Sequence, residues 1–73
     1  MEGDLQRVVG RNLRALRTAR DLSQEEFADV LRVHRTYMGG IERGERNLSL
    51  RKVERLAAQL DIEPLTLLQP PDD

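Results

Sequence analysis

Two short helical segments with almost nothing between them constrain this chain more than any other feature. Ser23-Gln24-Glu25-Glu26 opens the first of them. Ser23 is a good N-cap, and Glu26, three residues on, completes a Ser-x-x-Glu capping box. Phe27, Ala28 and Leu31 supply the face to be buried. Glu25, Glu26 and Asp29 crowd the start, where the helix dipole favours acids. Arg32-Val33 is then a tight connection. The next helix is expected from about His34 to Arg43, stopping at Gly44, a natural C-cap. A connection of three or so residues is the spacing of a helix-turn-helix rather than of a long loop.

The remaining segments read as helices that pack around this pair. From about Leu5 to Arg20, the residues Leu5, Val9, Leu13 and Leu16 make one apolar stripe, and Arg7, Arg11 and Arg14 sit off it. Glu45 to Leu48 is a polar connector. Ser49 can cap a fourth helix, Leu50 to Leu60, whose apolar face is Leu50, Val53, Leu56, Ala57 and Leu60. Pro64 suits the first turn of a short fifth helix ending near Leu68. There is no internal repeat and no credible strand. The expected fold class is all-α: a compact bundle of four to five short helices containing a helix-turn-helix, around one core. With 73 residues the chain has room for one domain, placed at 5–69, with tails at 1–4 and 70–73.

Charge is segregated along the chain. Residues 7–20 hold five arginines and no acid, and residues 21–29 hold four acids and no base. Residues 32–55 hold seven bases against three acids, and residues 61–73 have four acids and no base. Segregation allows one basic face on a protein of net charge -1. Solvated helices carrying paired charges would give the same pattern. The net charge argues against a nonspecific nucleic-acid coat protein. The chain has no cysteine, which removes a disulfide framework and a thiolate metal site and fits a reducing compartment. No signal peptide and no membrane-spanning run is visible, so the expected location is cytoplasmic, with no membrane partner.

The third helix presents an unusual surface. At 100° per residue, Met38 and Ile41 point inward with Glu42 beside them. Thr36, Gly39, Gly40 and Arg43 point outward, and Arg35 lies on the flank. Two adjacent glycines cost about 1 kcal/mol each relative to alanine. An ordinary weak helix held by tertiary contacts would tolerate them. The favoured reading is that missing side chains let the helix approach a ligand closely, with Arg35 and Thr36 at its leading end. In a DNA major groove the N-terminal residues of such a helix reach base edges. Arginine there makes a bidentate contact with guanine, and a threonine methyl touches thymine.

An ordered series of residues resembles a known family. Leu13-Arg14-x-Leu-Arg17, Leu22-Ser23-Gln24-Glu25-Glu26-x-Ala28, Arg35-Thr36-Tyr37-x-x-x-Ile41-Glu42-Arg43-Gly44 and Leu50-x-x-Val53-x-Arg55-Leu56-Ala57 look like the phage-repressor (Cro/C1-type, XRE) helix-turn-helix family. The resemblance covers roughly residues 8–68. It implies that Gln24 contacts a phosphate, with Ser23 beside it at the same helix N-terminus. It implies that Arg35, Thr36 and Gly40 face base edges, and that His34 and Tyr37 lie near the sugar-phosphate backbone. Arg43, Arg46 and Asn47 would follow the backbone, and Arg17 and Glu42 would form a structural ion pair. Two positions depart from the family pattern. Arg32 stands where the turn glycine is usual, and a left-handed backbone there would be strained. His34 replaces the usual Ser/Thr cap, which implies a weaker cap. The segment from Arg35 to Asn47 is also similar to the controller proteins of restriction–modification systems.

These readings imply a sequence-specific transcriptional regulator that binds double-stranded DNA as a homodimer on a palindromic operator. The dimer surface is expected on Ile62, Leu65, Leu67 and Leu68, although Leu65 and Leu68 could instead close the monomer core. The alternative is an antitoxin-type DNA-binding protein that also masks a toxin. The acidic C-terminal tail offers little surface for that, and a protein partner is not indicated. An enzyme is a poor reading. His34, the only histidine, lies at a helix start, Ser23 and Ser49 serve as caps, and no carboxylate pair has a cleft around it. No cofactor and no metal is expected, because the ligands are lacking.

Overall fold

The computed structural model describes residues 3–70, and among these it contains five helices and no strand. They are α1 (Asp4–Ala19), α2 (Gln24–Leu31), α3 (Arg35–Glu42), α4 (Leu50–Leu60) and α5 (Pro64–Leu68). The fold is all-α, as expected, and each helix boundary lies within about a residue of its expected position. The expected tail at 70–73 lies outside the described residues except for Pro70, and that at 1–4 except for Gly3 and Asp4, which opens α1.

Local chemistry explains why the boundaries were readable. The Ser23 side chain accepts from the Glu26 backbone N–H at 3.1 Å, and the Ser23 N–H donates to Glu26 Oε1 at 2.9 Å. Both halves of the capping box are therefore made. Hydrogen bonding from Ser23, from its backbone N–H first and its hydroxyl second, holds the Glu26 carboxyl below the usual carboxylate range. Ser49 caps α4 through the Lys52 N–H at 3.0 Å. His34 caps α3 through its ring: Nδ1 accepts from the Thr36 N–H at 3.2 Å. Gly44, at φ 75, stops that helix.

The core draws on all five helices. Val9, Leu13, Phe27, Met38, Ile41, Leu56 and Leu67 are essentially sealed from solvent. Two apolar residues do not belong to it as the periodicity implied. Leu5 is 61% exposed and Leu50 is 75% exposed. Each stands at the first turn of its helix, beyond the reach of the packed layer. On α1 the buried face is instead Val8, Val9, Gly10 and Leu13. The α5 helix is tied down by Asn12, whose Nδ2 donates to the carbonyls of Leu67 at 2.8 Å and Gln69 at 2.7 Å. That amide satisfies carbonyls that a five-residue helix leaves open at its end.

Candidate nucleic-acid interface

The turn between α2 and α3 is Arg32-Val33-His34. Arg32 adopts φ 59 and ψ 43, the left-handed region. Its N–H and that of Val33 return to the carbonyls of Asp29 and Ala28 at 3.2 and 3.0 Å. The chain thus reverses in the three residues that the sequence allowed, with an arginine carrying the conformation that glycine carries most easily.

This turn sets the N-termini of α2 and α3 around one open concavity. It is lined by Ser23, Gln24, Glu25, Arg35, Thr36, Gly39 and Arg43. Arg35 and Thr36 are exposed at the head of α3. Arg35 Nη1 lies 3.3 Å from Glu25 Oε2, with both side chains about two-thirds exposed. Such a pair is weak and exchanges readily for another acceptor. Glu25 is thus a direct neighbour of Arg35 that the sequence reading treated only as a dipole partner. Its place beside Gln24 in the first turn of α2 was the available signal.

Beneath the concavity lies a polar anchor. Arg17 donates to Glu42 through Nε at 2.7 Å and Nη2 at 3.1 Å. Gln24 Nε2 donates to the same Glu42 Oε1 at 3.0 Å. The Glu42 side chain is 4% exposed, so α1, α2 and α3 meet at a nearly sealed carboxylate. Its hydrogen bonds raise the Arg17 guanidinium above its ordinary value, against a smaller opposing effect of burial. A primary amide has two N–H donors. One of Gln24's goes to Glu42, which fixes the side chain and leaves the other free to meet an oxygen at the mouth of the concavity.

The outward face of α3 differs from the bare surface that its glycines suggested. Gly39 and Gly40 do face away from the core, yet both are buried. Arginine side chains cover them. A Cβ at Gly39 would lie 3.1 Å from Arg43 Nη1, and one at Gly40 would lie 2.9 Å from Arg46 Nε. Arg46 lies across Gly40 and places its guanidinium carbon 5.3 Å from the centre of the Tyr37 ring. Lys52 Nζ stands equally close to that ring. Tyr37 is half-buried between cations, a geometry in which ring quadrupole and positive charge attract. The missing side chains therefore make room first for the protein's own arginines.

The other expected residues lie at the end of α3, in the connector after it and around α5. Arg43 Nε donates to Glu45 Oε1 at 3.1 Å, and both side chains are exposed. Asn47 accepts a hydrogen bond from Gln6 of α1, a contact that spans most of the chain and that periodicity could not show. On α5, Leu65 is 68% exposed, and Ile62 and Leu68 are partly buried against the core. Leu67 is sealed inside the monomer and has no side-chain surface to offer a partner. Its inclusion in the expected dimer surface is corrected accordingly: one helical turn cannot present Leu65, Leu67 and Leu68 on the same side.

A sequence model of the helix-turn-helix family matches residues 13–67. Control protein C.SmaI of Serratia marcescens is 38% identical over 65 residues, which is 89% of this chain and 77% of that protein. Among solved structures, the restriction-modification controller protein C.AhdI of Aeromonas hydrophila matches with a TM-score of 0.73 and 50% identity, over 85% of this chain and 94% of that one. The hypothetical transcription factor NHTF from Neisseria matches with a TM-score of 0.83 and 38% identity, over 97% of this chain and 82% of the other.

Proposed function

The chain belongs to the helix-turn-helix family, and from that premise we propose that it is a sequence-specific transcriptional regulator of the controller-protein type, acting as a homodimer on a palindromic DNA operator. One observation carries the reading. Arg35 and Thr36 stand exposed at the head of a helix whose approach is set by the Arg17–Glu42–Gln24 anchor. In the proposed complex α3 enters the major groove head first. Arg35 exchanges Glu25 for the acceptors of a guanine, and Thr36 touches a neighbouring base. Ser23 and Gln24 receive a phosphate at the N-terminus of α2. His34, Tyr37, Arg43, Arg46 and Asn47 follow the backbone, and Gly40 gives Arg46 the room to do so.

A single recognition helix covers few base pairs. A two-fold dimer doubles the readout and requires half-sites about 34–36 Å apart, one turn of DNA. The proposed dimer surface is the apolar side of α5, with Leu65 at its centre and Ile62 and Leu68 at its edges. An exposed leucine on so short a helix supports that assignment. The cytoplasm, where the DNA is, is the proposed location.

Selection of binding sites from random duplexes with the purified protein tests the proposal. The expected product is one enriched sequence with two-fold symmetry. Recovery of duplexes no different from the input would overturn it.

A further inference from the structure

The face of α1 that carries Arg7 and Arg11 takes no part in the core or in the contacts proposed above. The two are exposed and, four residues apart, share one side of the helix. Gly10 lies at the contact between α1 and the end of α3. A Cβ there would sit 2.4 Å from the Ile41 carbonyl oxygen and 2.7 Å from that of Glu42. The α1 backbone therefore rests directly on the last turn of α3. Gly44 makes the matching approach from the other side, where a Cβ would lie 2.7 Å from Arg7 Cγ. These two close contacts bring Arg7 and Arg11 beside Arg43, and the three line one concavity with Glu42.

The charge in this notch is unbalanced. Glu42 is committed to Arg17 and Gln24 and is nearly sealed. Arg7 pairs with Asp4, and Arg43 with Glu45, in pairs whose side chains are each more than half exposed. Such pairs give way easily to a stronger acceptor. Arg11 pairs with none of the described residues. Guanidinium groups match phosphate oxygens in shape as well as charge. Arg43 lines this notch and also the concavity that holds Arg35 and Thr36, so one duplex can span both.

We propose that Arg7, Arg11 and Arg43 seat a backbone phosphate of the bound DNA, which makes α1 a third DNA-contacting element beside α2 and α3. This rests on the DNA-binding reading above. The phosphate is the one that lies where the duplex leaves the C-terminal end of α3. Gly10 and Gly44 act here by position, since each sets how closely α1 approaches the recognition helix.

The test is a fluorescence-anisotropy titration of the selected operator duplex at several salt concentrations. Wild type is compared with Arg11→Gln, with Arg7→Gln/Arg11→Gln, and with Arg55→Gln as an exposed arginine of α4 outside both concavities. Circular dichroism checks that helix content is kept. For Arg11→Gln, the slope of log affinity against log salt should become shallower by about 0.9, with binding roughly eightfold weaker at 0.1 M salt, the factor that release of one counterion supplies. Base preference should stay unchanged, and Arg55→Gln should keep the wild-type slope. A wild-type slope in both α1 variants would overturn the proposal, as would an equal loss in Arg55→Gln. If Arg35→Ala relaxes base preference while the α1 variants bind as wild type, only this inference fails. If the wild type binds no duplex, both readings fail together.

Discussion

Glu42 accepts three hydrogen bonds on two oxygens, from Arg17 twice and from Gln24 once, with 4% of its side chain exposed. Glu42→Ala leaves the partly buried Arg17 charge without its counter-ion, with only the Leu22 carbonyl left to accept from it. Breaking a buried pair in this way costs about 3–5 kcal/mol. A chain of this size is held by only about 4–11 kcal/mol in total. The urea midpoint of Glu42→Ala should therefore fall by about a quarter or more, and a midpoint within error of wild type would show that the anchor is not structural. Gly40→Ala should act in the opposite direction. The new methyl displaces only the flexible side chain of Arg46, and alanine is favoured over glycine in a helix by about 1 kcal/mol. Thermal unfolding should show the gain. At this scale sequence was informative where a family pattern pairs two residues, as with Arg17 and Glu42. It could not show Arg46 folding back over Gly40 onto Tyr37, because the direction of a loop side chain follows no helical period.

Each helix end is a separate small problem in hydrogen bonding, and that is why the boundaries were legible. Ser23, Ser49 and Gly44 act on their own neighbours, and no tertiary information is needed to place them. Three helix ends carry a cost: Arg32, like Asp21 and Asp61, takes the left-handed backbone without being glycine. A non-glycine residue in the left-handed region is disfavoured by roughly 1–2 kcal/mol. Arg32→Gly should raise the melting temperature by several degrees, since about 1 kcal/mol corresponds to roughly 4–8 °C in a domain this small. An unchanged or lower value would mean that the arginine makes a compensating contact. Gly10→Ala should do the reverse. Its Cβ would collide with the Ile41 carbonyl, which is backbone and cannot swing aside. Overpacking of this kind costs about 1–3 kcal/mol or more, and denaturant titration should read it.

The capping box of α2 also makes stability depend on pH. The Glu26 carboxyl is held below its ordinary value by its hydrogen bonds to Ser23. A depressed carboxylate contributes stability that is present above its unfolded-state pKa and lost as pH falls through the folded value. Stability of the wild type should therefore fall as pH drops from the usual carboxylate range through the depressed value of Glu26, and Glu26→Gln should flatten that part of the curve. The core was harder to read at this scale. Periodicity tells which side of a helix is apolar, but not how far along the helix its neighbours extend. Leu5 and Leu50 have the right phase and still lie outside the packed layer. Gly10 and Asn12 were passed over because their roles depend on α3 and α5 arriving beside α1, which only the fold determines.

For the molecule as a whole, a small core, a single proposed reading helix and an exposed leucine on α5 support the proposed assembly in pairs. Sedimentation at micromolar concentration should show a species near twice 8.4 kDa, shifted toward the monomer by Leu65→Asp. A wild type that sediments only as the monomer would remove the dimer from the account. The central claim, however, is that the head of α3 reads bases. Its most direct test compares wild type and Arg35→Ala on two duplexes: the selected operator, and the same duplex with the guanine opposite Arg35 replaced in both half-sites. Wild type should prefer the operator by about 1–3 kcal/mol per half-site. Arg35→Ala should bind both duplexes weakly and nearly equally. An Arg35→Ala protein that keeps the wild-type preference would contradict the assignment of α3 as the reading helix.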